Sequence, residues 1–560
     1  MSEQAESGCH LCTILLDGLT KPSVVDANVK PKTNKTRQRV QDIPPEVQLF
    51  VEIVRWWHSD YEQPFHGLFL YFREHETGDL TEIADQFFSI ADPAPERPIP
   101  SRTTNSLASL AWIEKQMSVC RGNHDERGSQ NLLTQRLGRQ LPKRLLDLSD
   151  CVENATVRLI DGKSIPHSTL YTTLSHRWGA EEQLLLKSDT QAGLYSGFPL
   201  SVVPILYRDV MSLIRRLGYR YLWIDTLCLK QDDNLELEQQ APLMHLVYSM
   251  SELNVSASRS LHDESLYYQR NPLLFTDLAI PTDWTCFPEK RLFILRREHA
   301  DPLAGEPILS RGWVFQERLL APRVLHFGGK QLVWECRNTT EAELTGHHQT
   351  NKYGLQTKLL FMFSEKHNKP RSLVNFWVKM VEQFSETVTS LEKDRLFAIA
   401  GLAAIMDRLC WDRIDIDRGV FCWDGNIPCS RPNEVVRRYF AGIWRYNFAW
   451  QLAWYADGTK NGVTTPARPQ LYRAPTWSWA SVNGPVRFLP DCLFDAAPNV
   501  RELVRAETHT STELDLRSMY GPTQTEAAGN LLVWCNLCEA EYFLNRPACE
   551  PILCYSCQTD

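Results

Sequence analysis

Hydrophobic positions divide the middle of the chain into a helix that leads directly into a buried strand. From Pro204 to Leu217 the apolar residues recur at steps of three and four, which predicts an amphipathic helix. Gly218 supplies its end. The next segment, Tyr221 to Ile224, is apolar at every position and carries aromatic and branched side chains, which favours a strand buried on both faces. This succession is typical of a parallel α/β sheet.

Polar residues follow this strand immediately. Asp225 ends the apolar run, and four further candidate site residues come within the next eight positions. They are Cys228, Gln231, Asp232 and Asp233. Ligands of parallel sheets collect beyond the carboxyl ends of the strands, so we expect this cluster to line a site. The alternative is structural, since an aspartate at a strand end often only caps the next turn.

A second predicted strand also ends in polar residues. Positions from Tyr171 to Ser175 alternate as they do in a strand, and His176 and Trp178 follow at its carboxyl end. If the chain is an enzyme, His176 must converge on one open cleft with Asp225 and with Glu317 of the third segment, described next.

A predicted helix forms the third such segment. Ser310 is suited to cap a helix that runs through Leu320, and on it Trp313 and Glu317 share one face. That face places a carboxylate beside an aromatic ring. The alternative is a surface glutamate that pairs with a nearby arginine such as Arg318 or Arg323.

These three segments, in this order, resemble the fungal heterokaryon-incompatibility (HET) domain. The matching residues are Tyr171, Leu174, Ser175, His176, Trp178 and Gly179, then Gly218, Tyr221, Trp223, Ile224, Asp225, Leu227, Cys228, Gln231 and Asp232, then Arg311, Gly312, Trp313, Gln316, Glu317 and Arg318. Segments on either side resemble the flanking motifs of full-length HET proteins. They are Pro142 to Asp147, Lys393 to Ala403 and Ala474 to Val482.

The resemblance implies a fold and a biological role. HET domains are distantly similar to TIR domains, which implies a TIR-like or flavodoxin-like parallel sheet in a central domain at residues 168–325. It also implies fungal non-self recognition, innate immunity and programmed cell death in the cytoplasm, with other incompatibility proteins or a homo-oligomer as partners. Two mechanisms stay open: cleavage of NAD or a related nucleotide, and a non-catalytic protein-interaction module.

Under the enzymatic alternative, the resemblance to TIR enzymes assigns roles to individual residues. Ser310, Trp313 and Glu317 resemble the pattern around the TIR catalytic glutamate, so Glu317 is the expected catalytic residue. NAD would be the substrate, and no bound cofactor is expected. The expected substrate contacts are Ser175, His176, Trp178, Gly179, Asp225, Cys228, Gln231, Asp232, Trp313, Gln316 and Arg318.

Two further regions flank the central domain. Residues 1–150 are expected to form an amino-terminal α/β module with a proline-rich linker near 92–106. Within it we predict a helix from Gln48 to Trp57, a strand from Gly67 to Arg73 and a helix from Leu107 to Cys120.

Residues 326–560 are expected to form a carboxy-terminal α+β region. It begins with the second half of a hairpin that turns at Gly328 and Gly329. Further on, helices are predicted from Leu373 to Phe384 and from Arg395 to Arg408, with strands near Trp477 and Trp479.

Composition excludes several classes of function. A net charge of −8 over 560 residues argues against broad attraction to nucleic acid or to anionic membranes. No run of about 20 apolar residues could span a bilayer, and the amino terminus lacks the pattern of a signal peptide. With no secretory address expected, the 16 cysteines are expected to stay reduced. Phosphate-loop, Gly-x-Ser-x-Gly and His-Glu-x-x-His motifs are absent from the sequence.

Cysteine spacing offers two weak zinc candidates. Near the carboxyl terminus the spacing C-x2-C-x15-C-x2-C fits a zinc ribbon, and near the amino terminus a Cys-x-x-Cys pair would need two more ligands. The first set is Cys535, Cys538, Cys554 and Cys557, and the second is Cys9 and Cys12 with Cys120 and His124. Buried reduced thiols are the alternative for both sets.

Overall fold

Two compact units make up the chain in a computed structural model. The first is drawn from residues 1–234, 247–308 and 321–358, and the second from residues 235–246, 309–320 and 359–560. The structure describes residues 48–56, 65–73, 80–91, 101–123, 139–178, 184–259, 264–274, 278–282, 291–297, 302–303, 305–336, 339–344, 346–347, 370–389, 391–409, 439–444, 448–457, 467–489, 505–508 and 531–534.

Strands and helices are numbered here in chain order over those residues. The strands are β1 (Gln48–Trp56), β2 (Phe65–Arg73), β3 (Leu80–Ala91), β4 (Arg144–Asp147), β5 (Thr156–Asp161), β6 (Tyr171–Ser175), β7 (Phe198–Pro199), β8 (Tyr221–Trp223), β9 (Leu253–Ser256), β10 (Leu278–Thr282), β11 (Arg291–Arg297), β12 (Arg323–Phe327), β13 (Leu332–Cys336), β14 (Thr340–Ala342), β15 (Gly346–His347), β16 (Tyr439–Phe440), β17 (Ile443–Trp444), β18 (Trp454–Ala456), β19 (Val486–Phe488), β20 (Arg505–Thr508) and β21 (Leu531–Trp534). The helices are α1 (Leu107–Asn123), α2 (Gln191–Ser196), α3 (Ile205–Arg216), α4 (Asp225–Cys228), α5 (Asn234–Gln240), α6 (Met244–Ser249), α7 (Gly312–Leu320), α8 (Pro370–Ser385), α9 (Phe397–Leu409) and α10 (Phe448–Leu452).

A ten-stranded mixed sheet forms the centre of the first unit. Its order is β15-β14-β13-β12-β9-β6-β8-β4-β5-β7. The four middle strands, β12, β9, β6 and β8, run parallel, and the outer pairs are antiparallel. Strands β6, β9 and β12 are buried at every position, as expected for parallel strands covered on both faces. The predicted α/β class with a parallel core is therefore confirmed at this level.

Helix α3 packs its apolar stripe inward, as the spacing of its residues predicts. Leu206, Val210, Leu213 and Ile214 are all buried, and each such side chain contributes roughly 1.5–3 kcal/mol when removed from water. Gly218 follows with a φ of +84°, a conformation that glycine adopts without strain. The chain then enters β8 and reaches Asp225 at its end.

A second, antiparallel sheet in this unit has the order β1-β2-β3-β11-β10. The prediction of a helix from Gln48 to Trp57 is wrong, because Gln48–Trp56 is a strand that pairs with Phe65–Arg73 over nine residues. The segment is rich in branched residues, and its short apolar pattern fits both a helix and a strand. Pairing with β2 makes it a strand.

The second unit combines helices α7, α8 and α9 with short two-stranded sheets. The predicted helices at 373–384 and 395–408 are confirmed by α8 and α9. The prediction of strands near Trp477 and Trp479 is wrong, because Trp479–Ser481 forms a 3-10 turn in which the Ala480 amide donates to the side chain of Ser478. Both residues follow Pro475, and the short Ser478 side chain favours a cap over a strand.

Candidate functional site

The parallel strands of the central sheet bring several polar residues to one edge. Thr173 of β6 lies opposite Trp223 of β8 on one side and Asn254 of β9 on the other. The strands therefore end at about the same level, and His176 and Asp225 each follow the end of its strand. This is the edge at which open α/β sheets bind ligands.

Asp225 is the centre of a hydrogen-bonded cluster at this edge. Its Oδ2 accepts a 2.9 Å hydrogen bond from the indole Nε1 of Trp178, and its Oδ1 accepts a 2.8 Å bond from the backbone amide of Thr226. The Nδ1 atom of His176 lies 3.6 Å from Oδ1. The His176 side chain is 1% exposed and that of Asp225 is 23% exposed, whereas Trp178 is 45% exposed. The carboxylate and the indole are thus open to solvent above a buried imidazole.

Tyr207 extends the cluster inward from helix α3. Its hydroxyl lies 2.7 Å from His176 Nε2 and 2.9 Å from Thr226 Oγ1, and the two rings of Tyr207 and His176 meet edge to face. Sequence reasoning missed Tyr207. A phenol on the buried face of a helix needs a hydrogen-bond partner, and this requirement is the signal that could have found it.

Gln231 and Asp232 shape the loop beside the cluster. The Gln231 side chain donates to the carbonyl oxygens of Asp225 and Leu229, at 3.0 and 2.8 Å. The Asp232 carboxylate accepts a 2.8 Å bond from the backbone amide of Ser188, and this bond lowers the pKa of Asp232. Gln231 therefore holds the loop in place, while Asp232 is a surface anion next to it.

Two of the remaining predicted site residues from the first two HET-like segments are buried. Cys228 is buried, and burial raises the pKa of its thiol to about 12, so the sulfur is protonated and unreactive at neutral pH. Ser175 is also buried, and its hydroxyl accepts a 3.0 Å bond from the amide of Asn254. Gly179 lies outside the described residues.

The third block lies on helix α7, which belongs to the second unit. The Gln316 Oε1 atom accepts a 3.0 Å hydrogen bond from the backbone amide of Gly401, and Trp313 Nε1 donates to Asp394 at 3.4 Å. Glu317 is only 7% exposed, and Arg318 is half-buried. The structure thus brings His176, Trp178 and Asp225 together in the first unit. Gln316, and more weakly Trp313, contribute to packing within the second.

Neither a metal cluster nor a membrane helix occurs in the described part of the chain. It contains no group of three or more His, Cys, Asp or Glu side chains placed to hold a metal. Cys120 accepts a hydrogen bond from Arg323 Nε at 3.3 Å, and the remaining zinc candidates, at positions 9, 12, 124, 535, 538, 554 and 557, lie outside the described residues. No described helix is both long and apolar enough to cross a membrane.

A comparison with known protein families finds a match to part of the chain. The family model for "Heterokaryon incompatibility protein (HET)" matches residues 171–317, which run from the first residue of β6 to Glu317 of α7. No curated protein and no solved structure matches the chain. The match therefore covers the first two segments singled out from the sequence and the third as far as Glu317.

Proposed function

We propose that this protein acts in fungal non-self recognition and cleaves the nicotinamide–ribose bond of NAD or a related nucleotide. The match of the HET family model to residues 171–317 supports the first part of this proposal. The proposal includes a TIR-like, flavodoxin-like arrangement for residues 168–325, flanked by an amino-terminal module at 1–150 and a carboxy-terminal region at 326–560. Depletion of the nucleotide in the cytoplasm would then cause programmed cell death.

One observation carries the enzymatic proposal. Asp225 holds a partly exposed carboxylate at the end of a parallel strand, with the half-exposed indole of Trp178 hydrogen-bonded to it. Carboxylate oxygens have lone pairs for more than the two donors they already meet, so Asp225 can accept from a ribose hydroxyl. The exposed indole offers a face on which a base or a nicotinamide ring stacks.

The chemistry requires stabilisation of positive charge. Cleavage of the glycosidic bond passes through an oxocarbenium-like state, which a carboxylate stabilises electrostatically. We assign this role to Glu317, on the resemblance of Ser310, Trp313 and Glu317 to the catalytic pattern of TIR enzymes. Buried His176, held between Asp225 and Tyr207, is assigned the role of fixing the orientation of the Asp225 carboxylate.

The test is NAD consumption by the full chain at high protein concentration, followed by chromatography of released nicotinamide. Asp225→Asn and Glu317→Gln keep the side-chain shapes and remove the charges, and we expect each to lower turnover at least about tenfold. Asp189→Asn removes an exposed carboxylate elsewhere in the same family-matched segment and serves as the control. If Glu317→Gln turns over NAD as fast as wild type, Glu317 is not the catalytic residue.

A non-catalytic interaction module is the second candidate. It is favoured by the third block, where Trp313 and Gln316 form hydrogen bonds within their own unit rather than presenting open polar groups. In that case death signalling depends on assembly with other incompatibility proteins or with a second copy. Cell death caused by wild type and by Glu317→Gln alike, with NAD intact in both, would establish this alternative.

A further inference from the structure

Trp178 differs from the other tryptophans of the chain in its exposure. Of those whose exposure the structure describes, Trp178 alone is exposed, whereas the others are buried or half-buried. A large aromatic side chain normally contributes to stability through burial, with its N–H bonded to a partner. Trp178 has the bonded N–H without the burial, so its ring is open to a ligand.

A hydrogen bond fixes the orientation of this open ring. Trp178 Nε1 donates to Asp225 Oδ2 at 2.9 Å, and the Asp225 carboxylate is itself held by the Thr226 amide at 2.8 Å. An indole N–H lies in the plane of its ring, so one edge of the indole is directed at the carboxylate and the two ring faces are not. The ring therefore has little rotamer freedom left to lose when a ligand covers one of its faces.

The same hydrogen bond favours a positively charged ligand. The face of an aromatic ring carries negative charge density, and tryptophan attracts cations most strongly among the aromatic side chains. Donation of the indole N–H to an anion polarises the ring further in this direction. An uncharged ring can also stack on such a face, but a cationic ring gains an electrostatic attraction in addition.

The charges around Asp225 act in the same direction. Among the described residues, no lysine or arginine forms an ion pair with Asp225, and its basic neighbour is the buried His176, 3.6 Å away. The imidazole of a histidine is neutral unless it is protonated. Lys230, on the loop that follows, interacts electrostatically with Asp232, so a carboxylate offsets its charge. A cation on the indole therefore finds an opposite charge at the partly exposed Asp225 carboxylate.

We propose that Trp178 and Asp225 bind a flat organic cation, an N1-substituted pyridinium ring, and so select the charged, oxidised nicotinamide of NAD over uncharged rings; this assignment rests on the proposed function. The indole face takes the ring, and the carboxylate balances its charge. Cleavage of the bond to ribose leaves its electron pair on the ring nitrogen, so the released nicotinamide is neutral. The product thus loses the electrostatic part of its binding and dissociates more readily than the substrate.

The experiment compares two methylated nicotinamides of almost the same size. In 1-methylnicotinamide the methyl group is on the ring nitrogen and the compound is a cation, whereas in N-methylnicotinamide it is on the amide and the compound is neutral. Binding of each to the full chain is measured by saturation-transfer NMR, which detects weak ligands. We expect wild type to bind the cation at least about fivefold more tightly than the neutral compound.

Variants locate the preference on the two residues. Trp178→Leu keeps an apolar side chain but removes the ring, and Asp225→Asn removes the charge, so each should lower the preference for the cation at least about twofold. Tyr455→Leu removes an aromatic residue of similar exposure in the second unit, and Asp189→Asn removes an exposed carboxylate elsewhere in the family-matched segment. Both controls should keep the wild-type preference.

The wild-type comparison decides the matter even if a variant fails to fold. Equal binding of the two compounds by wild type, or binding of neither, would overturn the cation site whether or not the chain cleaves NAD. A preference that Trp178→Leu and Asp225→Asn both retain would also overturn it, because the cation would then bind elsewhere. A preference that both variants lose, in a chain that leaves NAD intact, would support the cation site and contradict only the cleavage.

Discussion

The Asp225 cluster and the first six residues of helix α7 both lie in the family-matched segment, yet their polar side chains differ in exposure and in partners. At Asp225, the carboxylate and the Trp178 indole bond to each other and remain partly open to solvent. On α7, Gln316 is buried and its amide oxygen holds the backbone of Gly401 in α9. Within one family-matched segment, polar side chains are thus partly exposed at Asp225 and buried in helix packing at Gln316.

Disturbing the packing of α7 against α9 gives the largest expected effect and tests whether α7 has a structural role. A Cβ at Gly401 would overlap the Cβ of His245 and lie 2.5 Å from Gln316 Oε1. We expect Gly401→Ala to destabilise the protein by about 3 kcal/mol in denaturant unfolding, since both neighbours are buried. Gly193→Ala, at a helical glycine with open space around it, is the control and should be neutral or slightly stabilising.

Two glutamines give a smaller and more direct test. Gln316→Ala should cost about 2 kcal/mol, because it removes a buried hydrogen bond to the Gly401 amide. Gln231→Ala should cost about 1 kcal/mol, because its carbonyl partners beside Asp225 are nearer to water. Unfolding free energies in the opposite order would show that the loop at Asp225, rather than α7, is the structural block.

Much of the scaffold around both blocks can be predicted from the sequence. The three- and four-residue spacing between Pro204 and Leu217 predicts α3, and the apolar run that follows predicts β8. Both predictions succeed because the positions of buried side chains along a segment follow from its own backbone geometry. The hairpin of β12 and β13 around Gly328 also follows from its turn residues. The strand Gln48–Trp56 does not, because its short apolar pattern fits a helix as well as a strand and only its pairing with Phe65–Arg73 decides between them.

The contents of the site are only partly accessible from the sequence. His176 and Asp225 stand at predicted strand ends, so their proximity follows once the strands are parallel. Tyr207 is hidden among apolar residues of α3, and only the tertiary structure shows its contact with His176. The hydrogen bonds that link Ser258, His326 and Glu335 depend on the order of β9, β12 and β13 in the sheet, which no local pattern determines.

Trp178 offers a test in which stability and binding separate. Because its side chain is half-exposed, we expect Trp178→Ala to change the unfolding free energy by less than about 1 kcal/mol. If the indole stacks on a ring of NAD, the same change should weaken NAD binding about tenfold in calorimetric titration. Tyr455→Ala, which removes an aromatic residue of similar exposure in the second unit, should leave binding unchanged. Equal binding by wild type and Trp178→Ala would remove the indole from the proposed site.

The smallest expected effect is a contrast in the pH dependence of stability between the two regions. Burial raises the pKa of Asp394, the partner of Trp313, although the indole hydrogen bond opposes part of the rise. Above the unfolded pKa of about 3.9, the folded state therefore holds more protons at Asp394, and stability decreases as pH rises to the folded pKa. The lowered pKa of Asp232 acts in the opposite direction, because the contribution of its bond from Ser188 is present above pH 3.9 or so and is lost as pH falls. Urea unfolding at a series of pH values measures this contrast. As pH rises, Asp394→Asn should gain stability relative to wild type and Asp232→Asn should lose it. If the stability difference from wild type changes with pH in the same direction for both variants, the contrast is contradicted.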